Sequence, residues 1–268
     1  MKKWQKIIKS HFGKNYSDHE GLPVLSFIPR YEPERKILFI GSEHGSMPFC
    51  AEAIISKAQE IADGNLYRTQ IDMIPVVDTA GHPAKSALMG LEGFDSPSYM
   101  GSQEMPGQVS SLISMLNNSP YSLVVQATAL FREDWPFING YFAVPQVKLN
   151  PAENKRTKLI VKPVTRDIMG TLLHAVKKAD YPLQTMHNEG KVGDRFIFLN
   201  EGVLAPVTNF EGQSIIGTRN LIQLACAQKG IESILLVSAA GKYEGNADAR
   251  DSHKAAIESI IRLYENIR

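Results

Sequence analysis

Cysteine is nearly absent from this 268-residue chain, which holds Cys50 and Cys226, each inside an apolar run of helical spacing. A disulfide framework is not expected, and both read as small reduced core residues. An excess of charge is missing too: 29 Lys and Arg stand against 28 Asp and Glu, with no basic stripe. That balance leaves no electrostatic footprint for nucleic acid. No apolar run approaches the roughly 18 residues that a membrane-spanning helix needs. The N-terminal "MKKWQKIIKSHFGKN" is charged and amphipathic, without the apolar core of a signal peptide. The expectation is a soluble, cytoplasmic protein with neither membrane nor nucleic acid as partner.

What remains is ordinary globular composition, 43% hydrophobic and 21% charged, enough for a sizeable core. The length suits one large α/β domain over 1–268. Short apolar strands alternate with helical segments, which predicts a mixed, largely parallel sheet flanked by helices. Strands are expected at 22–29, 36–41, 70–77, 121–130 and 231–241, with another at 181–190 and a hairpin-like region over 194–209. Helices are expected from Pro48 to about Gly64, over 108–119, 165–180 and 214–230, and at the C-terminal end. Pro48 suits a first helical turn, where its missing N–H costs nothing, and Gly64 and Gly230 suit helix stops. The stretch 78–107 is rich in Gly, Ser, Pro and Met and is long for a structureless connection. Four prolines punctuate 131–164, which is a candidate inserted hairpin or lid.

In open α/β sheets, ligands bind outside the carboxyl ends of the strands. Four expected strand ends carry polar groups: Glu43-His44, then Asp78 and His82, then His187-Asn188-Glu189, and finally Ser238 with Glu244 beyond it. Imidazoles converging from distant segments are how a zinc site is assembled, because Zn²⁺ takes N, O or S donors in a near-tetrahedral set. Each also has a plainer reading. A histidine after a strand is often a surface or capping residue, and Asp78 can cap its own turn. The basic stretch "NKRTKLIVK" (154–162) reads as a solvated edge strand, or holds Arg156 over the crevice for an acidic substrate.

These motifs, in this order, resemble the zinc carboxypeptidase family, including its murein-peptide amidase and aspartoacylase-like branches. In that family a strand ends in a Gly-x-x-His-Gly-x-Glu type motif and a helix begins at the Glu. Here "GSEHGSMPF" resembles that motif, "VVDTAG" the Asn-Pro-Asp-Gly type turn that follows, and "LQTMHNEG" the strand bearing a second His. "ILLVSAAGKYEG" resembles the last strand, which carries a catalytic Glu. The resemblance implies a zinc-carboxypeptidase-like fold, a divalent metal and hydrolysis of a peptide or amide bond in a small peptide or acyl-amino-acid substrate.

The departures are as specific as the match. His44 stands at the first ligand position, but Met47 stands where the metal-binding Glu belongs, and a thioether replaces a carboxylate poorly on Zn²⁺. The last strand offers Leu236 or Ser238 where the catalytic Glu would fall. No arginine lies between Arg68 and Arg132, so the family's Asn-Arg pair for a substrate carboxylate is missing. The unit "QVSSLISMLNNSPYSLVVQATAL" also competes for the role of His-bearing unit, and then the position is Thr128.

Two readings stay open. In one, the metal site is rebuilt from His44, His187 and Glu43, with Glu189 or Glu244 as general base. In the other, the site is catalytically inactive and the crevice binds a ligand or partner.

Overall fold

The computed structural model describes residues 3–42, 47–64, 66–77, 107–133, 136–145, 147–148, 160–161, 163–185, 191–192, 196–206, 221–241 and 246–266. The chain opens with helix α1 (Lys3–Phe12) and a short 3-10 turn (Gly13–Asn15), then strands β1 (Tyr16–His19), β2 (Leu22–Phe27) and β3 (Arg35–Ser42). Helix α2 (Pro48–Asp63), β4 (Thr69–Val76), α3 (Gly107–Asn118) and β5 (Leu123–Phe131) follow. Then come β6 (Phe142–Pro145), β7 (Val147–Lys148), β8 (Ile160–Val161), α4 (Pro163–Lys178) and β9 (Lys191–Val192). The chain closes with β10 (Phe196–Asn200), β11 (Val203–Pro206), α5 (Leu221–Lys229), β12 (Glu232–Ala240) and α6 (Ala247–Asn266).

Ten strands form one mixed sheet in the order β1-β2-β4-β3-β5-β12-β6-β11-β10-β9, while β7 and β8 pair separately. The four strands β4, β3, β5 and β12 run parallel at its centre. Their composition follows from that position, because a parallel strand covered on both faces reads as a nearly continuous apolar run. Along β3, Ile37 and Phe39 turn to one face and Leu38 and Ile40 to the other. The first face packs under α1, α2, α4 and α6, and the second under α3 and α5. Phe39, fully buried, is a side chain of the kind that stabilises the fold by about 2–3 kcal/mol.

The helix signals work as the sequence suggests. Pro48 occupies the first turn of α2, and the N–H of Gly64 closes its end on Ile61 O at 3.1 Å. Lys57, buried on α2, is satisfied by Glu60 and by Glu258 of α6, which fastens the two helices together. Gly41 is required by close approach: a Cβ there would lie 2.5 Å from Pro75 O and 3.1 Å from Cys50 O.

The structure departs from or adds to the sequence reading at three places. Residues 181–185 do not form a sheet strand; Leu183 makes a single bridge to Tyr141, because β11 takes the place beside β6. Within 131–164, β6 enters the main sheet between β12 and β11, and β7 and β8 form a two-stranded antiparallel pair. The amphipathic N-terminus is a helix, since Ile8 and Phe12 fall on one side and bury in the core. Among the described residues, no helix is long and apolar enough to cross a membrane.

Candidate functional site

The chain path selects where a ligand can sit. From β3 it passes to β4 on one side, then returns to β5 on the other, with α2 and α3 on opposite faces of the sheet. The carboxyl ends of β3 and β5 therefore form a topological switch point, the place where open α/β sheets put their ligand crevices. Two side chains meet there. Met47, at the N-terminal cap of α2, is buried, and the Thr128 hydroxyl donates to its sulfur at 3.5 Å. Met47 also belongs to an apolar cluster with Phe49, Cys50, Ala127, Ala129, Phe131, Ala240 and Ala249.

The two candidate His-bearing units take different places in the fold. β5 lies beside β3 in the sheet centre, whereas the 181–185 segment lies beyond β12, next to the start of β6. β5, the strand beside β3, carries Thr128, whose hydroxyl meets the sulfur of Met47.

Beneath this floor lies a buried polar network. His253 of α6 and Ser238 of β12 are both fully buried. His253 Nε2 lies 3.1 Å from the Thr128 carbonyl and 3.1 Å from Ser238 Oγ, and its Nδ1 lies 3.3 Å from the Tyr141 hydroxyl. A carbonyl can only accept, so Nε2 carries the proton. Burial pushes the ring's pKa down to about 4, the Thr128 carbonyl opposing the shift, so the ring is neutral at pH 7 and its Nδ1 accepts from Tyr141. Burial also raises the Tyr141 phenol well above its ordinary value, with Cys50 and Tyr181 adding to it. Neither cysteine is a nucleophile in this setting: both are buried and outside any disulfide, and burial pushes the Cys226 thiol up to about 12.

A cation stands at the rim. Arg132 follows β5, is exposed, and its backbone N–H donates to Ala240 O at 3.0 Å. The Tyr181 hydroxyl donates to Ala239 O at 2.6 Å. Burial raises the Tyr181 phenol, and the Arg132 guanidinium, hydrogen-bonded to it, partly offsets that, while Asp248 adds to it. Sequence reading passed over Arg132 because it comes from a different element than the family's arginine. Its position just past an apolar strand end was the available signal.

Of the residues singled out from sequence, Glu43, His44, Asp78, His82, Arg156, His187, Glu189 and Glu244 lie outside the described residues. Their flanks are placed. Residues 43–46 join the end of β3 to Met47 at the crevice. On either side of 242–245, Gly241 N donates to Asn246 Oδ1 at 3.1 Å and Asn246 Nδ2 to Gly241 O at 2.8 Å. The segment leading to His187 is pinned by buried Gln184, whose Oε1 accepts from Asn139 N at 2.9 Å and Gly140 N at 3.1 Å. Of the remaining histidines, His11, His19 and His174 lie on α1, β1 and α4.

The donor chemistry of the described members does not fit a zinc centre. Met47 offers a thioether, Thr128 and Ser238 offer hydroxyls, and the His253 imidazole is already fully hydrogen-bonded. Among the described residues, no group of three or more His, Cys, Asp or Glu could hold a metal ion.

No protein-family model matches the chain, and no curated protein matches it in sequence. Solved structures do match its fold. A candidate metallopeptidase from Shewanella amazonensis is 10% identical with a TM-score of 0.62, the match covering 96% of this chain and 90% of that one. A metallo-carboxypeptidase from Pseudomonas aeruginosa, in complex with (2-guanidinoethylmercapto)succinic acid, is 10% identical with a TM-score of 0.58, covering 99% and 69%. The cell shape determinant protein Csd4 from Helicobacter pylori is 11% identical with a TM-score of 0.54, covering 92% of this chain and 55% of that one. The fold is that of the metallo-carboxypeptidases.

Proposed function

We propose that this chain uses the carboxypeptidase-type crevice to bind a small peptide or acyl-amino-acid ligand without hydrolysing it. The observation that carries this reading is the Thr128–Met47 contact of 3.5 Å at the switch point. Two of the family's metal positions face each other there and satisfy each other, with neither supplying a strong Zn²⁺ donor. Ser238, at the position expected of the general base, has its hydroxyl engaged by His253. A serine so buried cannot take a proton from water. Arg132 at the rim offers a planar donor fork to a ligand carboxylate or other anion, and Tyr181 fixes its place. Arg156 would be a second anion partner.

Calorimetric titration with zinc chloride, beside thermal-shift screening of N-acyl amino acids and short peptides with and without chelator, tests this reading. Weak or no zinc binding and chelator-insensitive ligand stabilisation are expected. Tight zinc binding with chelator-sensitive release of amine would overturn it.

That outcome would support a second reading, metal-dependent hydrolysis of a peptide or amide bond. It is favoured by the retention of His44 between the end of β3 and α2. The ligands would be His44, His187 and Glu43, with Glu189 or Glu244 as general base. A His44→Ala, His187→Ala pair would then lose the metal by elemental analysis.

A further inference from the structure

The network under the crevice joins elements that are far apart in sequence. His253 comes from α6, Thr128 from β5, Ser238 from β12, and Tyr141 immediately precedes β6. The imidazole is 0% exposed, and its two nitrogens reach all three partners. Tyr141 packs edge-on against it, the ring centroids 5.3 Å apart. Only the neutral ring suits this arrangement. A protonated Nδ1 would face a hydroxyl that is now donating, and would need it to turn around and find another acceptor in an apolar setting.

The titratable groups around it offer no relief. On the β6 side Tyr141 faces Nδ1, and Cys50 of α2 and Tyr181 bear on Tyr141 in turn. β5 presents the Thr128 carbonyl and β12 the Ser238 hydroxyl, neither ionisable in this range. Asp248 and Arg132 act on Tyr181, one ring further out. A buried imidazolium with no anionic partner is costly, so the protein must exclude the proton or loosen.

We propose that His253 is a proton-sensitive latch that holds α6 against the crevice ends of β5 and β12 while neutral and releases them when protonated. This is independent of which ligand the crevice takes. In the unfolded chain the imidazole titrates near 6.5, and in the folded chain near 4. Between these values the unfolded state binds the extra proton, so stability falls as the pH drops through that window and levels off below it. The folding equilibrium should weaken by about two orders of magnitude across it. Carboxylates held low by cations in the fold, such as Glu258 beside Lys57 and Arg262, lose their contribution only as the pH falls below their ordinary value of 4.5.

The test is urea denaturation of the whole chain at a series of pH values from 7.5 to 4, a range bracketing the window of about 4 to 6.5. His253→Gln, which cannot titrate, should show a flat profile above pH 4.5, where the wild type declines. Tyr141→Phe removes the donor to Nδ1 and should move the midpoint of the decline to higher pH. A flat wild-type profile, or an unchanged slope in His253→Gln, would overturn the latch. If His253→Gln does not fold, the Tyr141→Phe profile decides, and an unshifted midpoint overturns it.

Discussion

The two ends of the same parallel strands treat buried polarity in opposite ways. Near the amino ends of β3 and β5, Asp72 of β4 is buried but fully answered. Lys36 lies 3.0 Å away, the Tyr121 hydroxyl donates to it at 2.7 Å and Gln70 Nε2 donates at 3.1 Å. The Lys36 ammonium also sits 4.7 Å above the Tyr121 ring. At the carboxyl ends, Met47, Thr128, Ser238 and His253 carry no charge in their resting states and answer one another with neutral, mostly longer contacts. An ion inside a sheet persists where its partners are complete, and elsewhere the site stays neutral. The amino end is therefore built for stability. At the carboxyl end the described side chains are neutral, and none of them is a carboxylate.

If that contrast is right, the largest effect should come from reversing it. Met47→Glu with Thr128→His puts two strong donors at the Thr128–Met47 contact, and zinc affinity should rise at least about 1,000-fold, some 4 kcal/mol. Calorimetric titration of wild type and double variant would show it, and equal weak binding would mean the crevice geometry does not match. Asp72→Ala, at the other end, strands the Lys36 ammonium and the Tyr121 hydroxyl together. A loss of about 3 kcal/mol in urea denaturation is expected, with little change in ligand binding. Gly41→Ala presses a Cβ into the Pro75 carbonyl at 2.5 Å where β3 turns into the crevice. The cost should be about 2 kcal/mol, read as a lowered Tm, with ligand binding weakened as well. Arg132→Ala should be the mildest, since the side chain is exposed. Stability should hold while binding of an anionic ligand weakens up to about tenfold, or about 1.4 kcal/mol. A loss equal for neutral and anionic ligands would remove Arg132 from the role of anion partner.

Much of the framework was legible because each signal was local. The apolar run "KILFIG" marked a strand, and Pro48 and Gly64 marked the ends of α2. Residues 181–185 misled for an equally physical reason. Leu183 is apolar enough for a strand, but its backbone partner is a single residue, Tyr141, because β11 takes the neighbouring edge. The helical nature of the N-terminus went unread, since an amphipathic stretch does not announce what it will bury against.

The candidate site divided along the same line. Met47 stood out as a departure directly from its place in "GSEHGSM", because the motif is contiguous and its spacing fixes which residue begins the helix. Thr128 could be named only as an alternative, and neither His253 nor Arg132 could be given a role. Their roles depend on which strand lies beside β3 and on what α6 lays across β12. The sequence by itself determined the layers, the parallel core and the missing carboxylate, since these follow from short-range periodicity and motif spacing. Tertiary structure alone decided that Met47 meets Thr128, that Ser238 is spent on a buried histidine, and that an arginine stands at the rim. Those facts are contacts between residues up to 125 positions apart, as between His253 and Thr128, and only strand order brings them together.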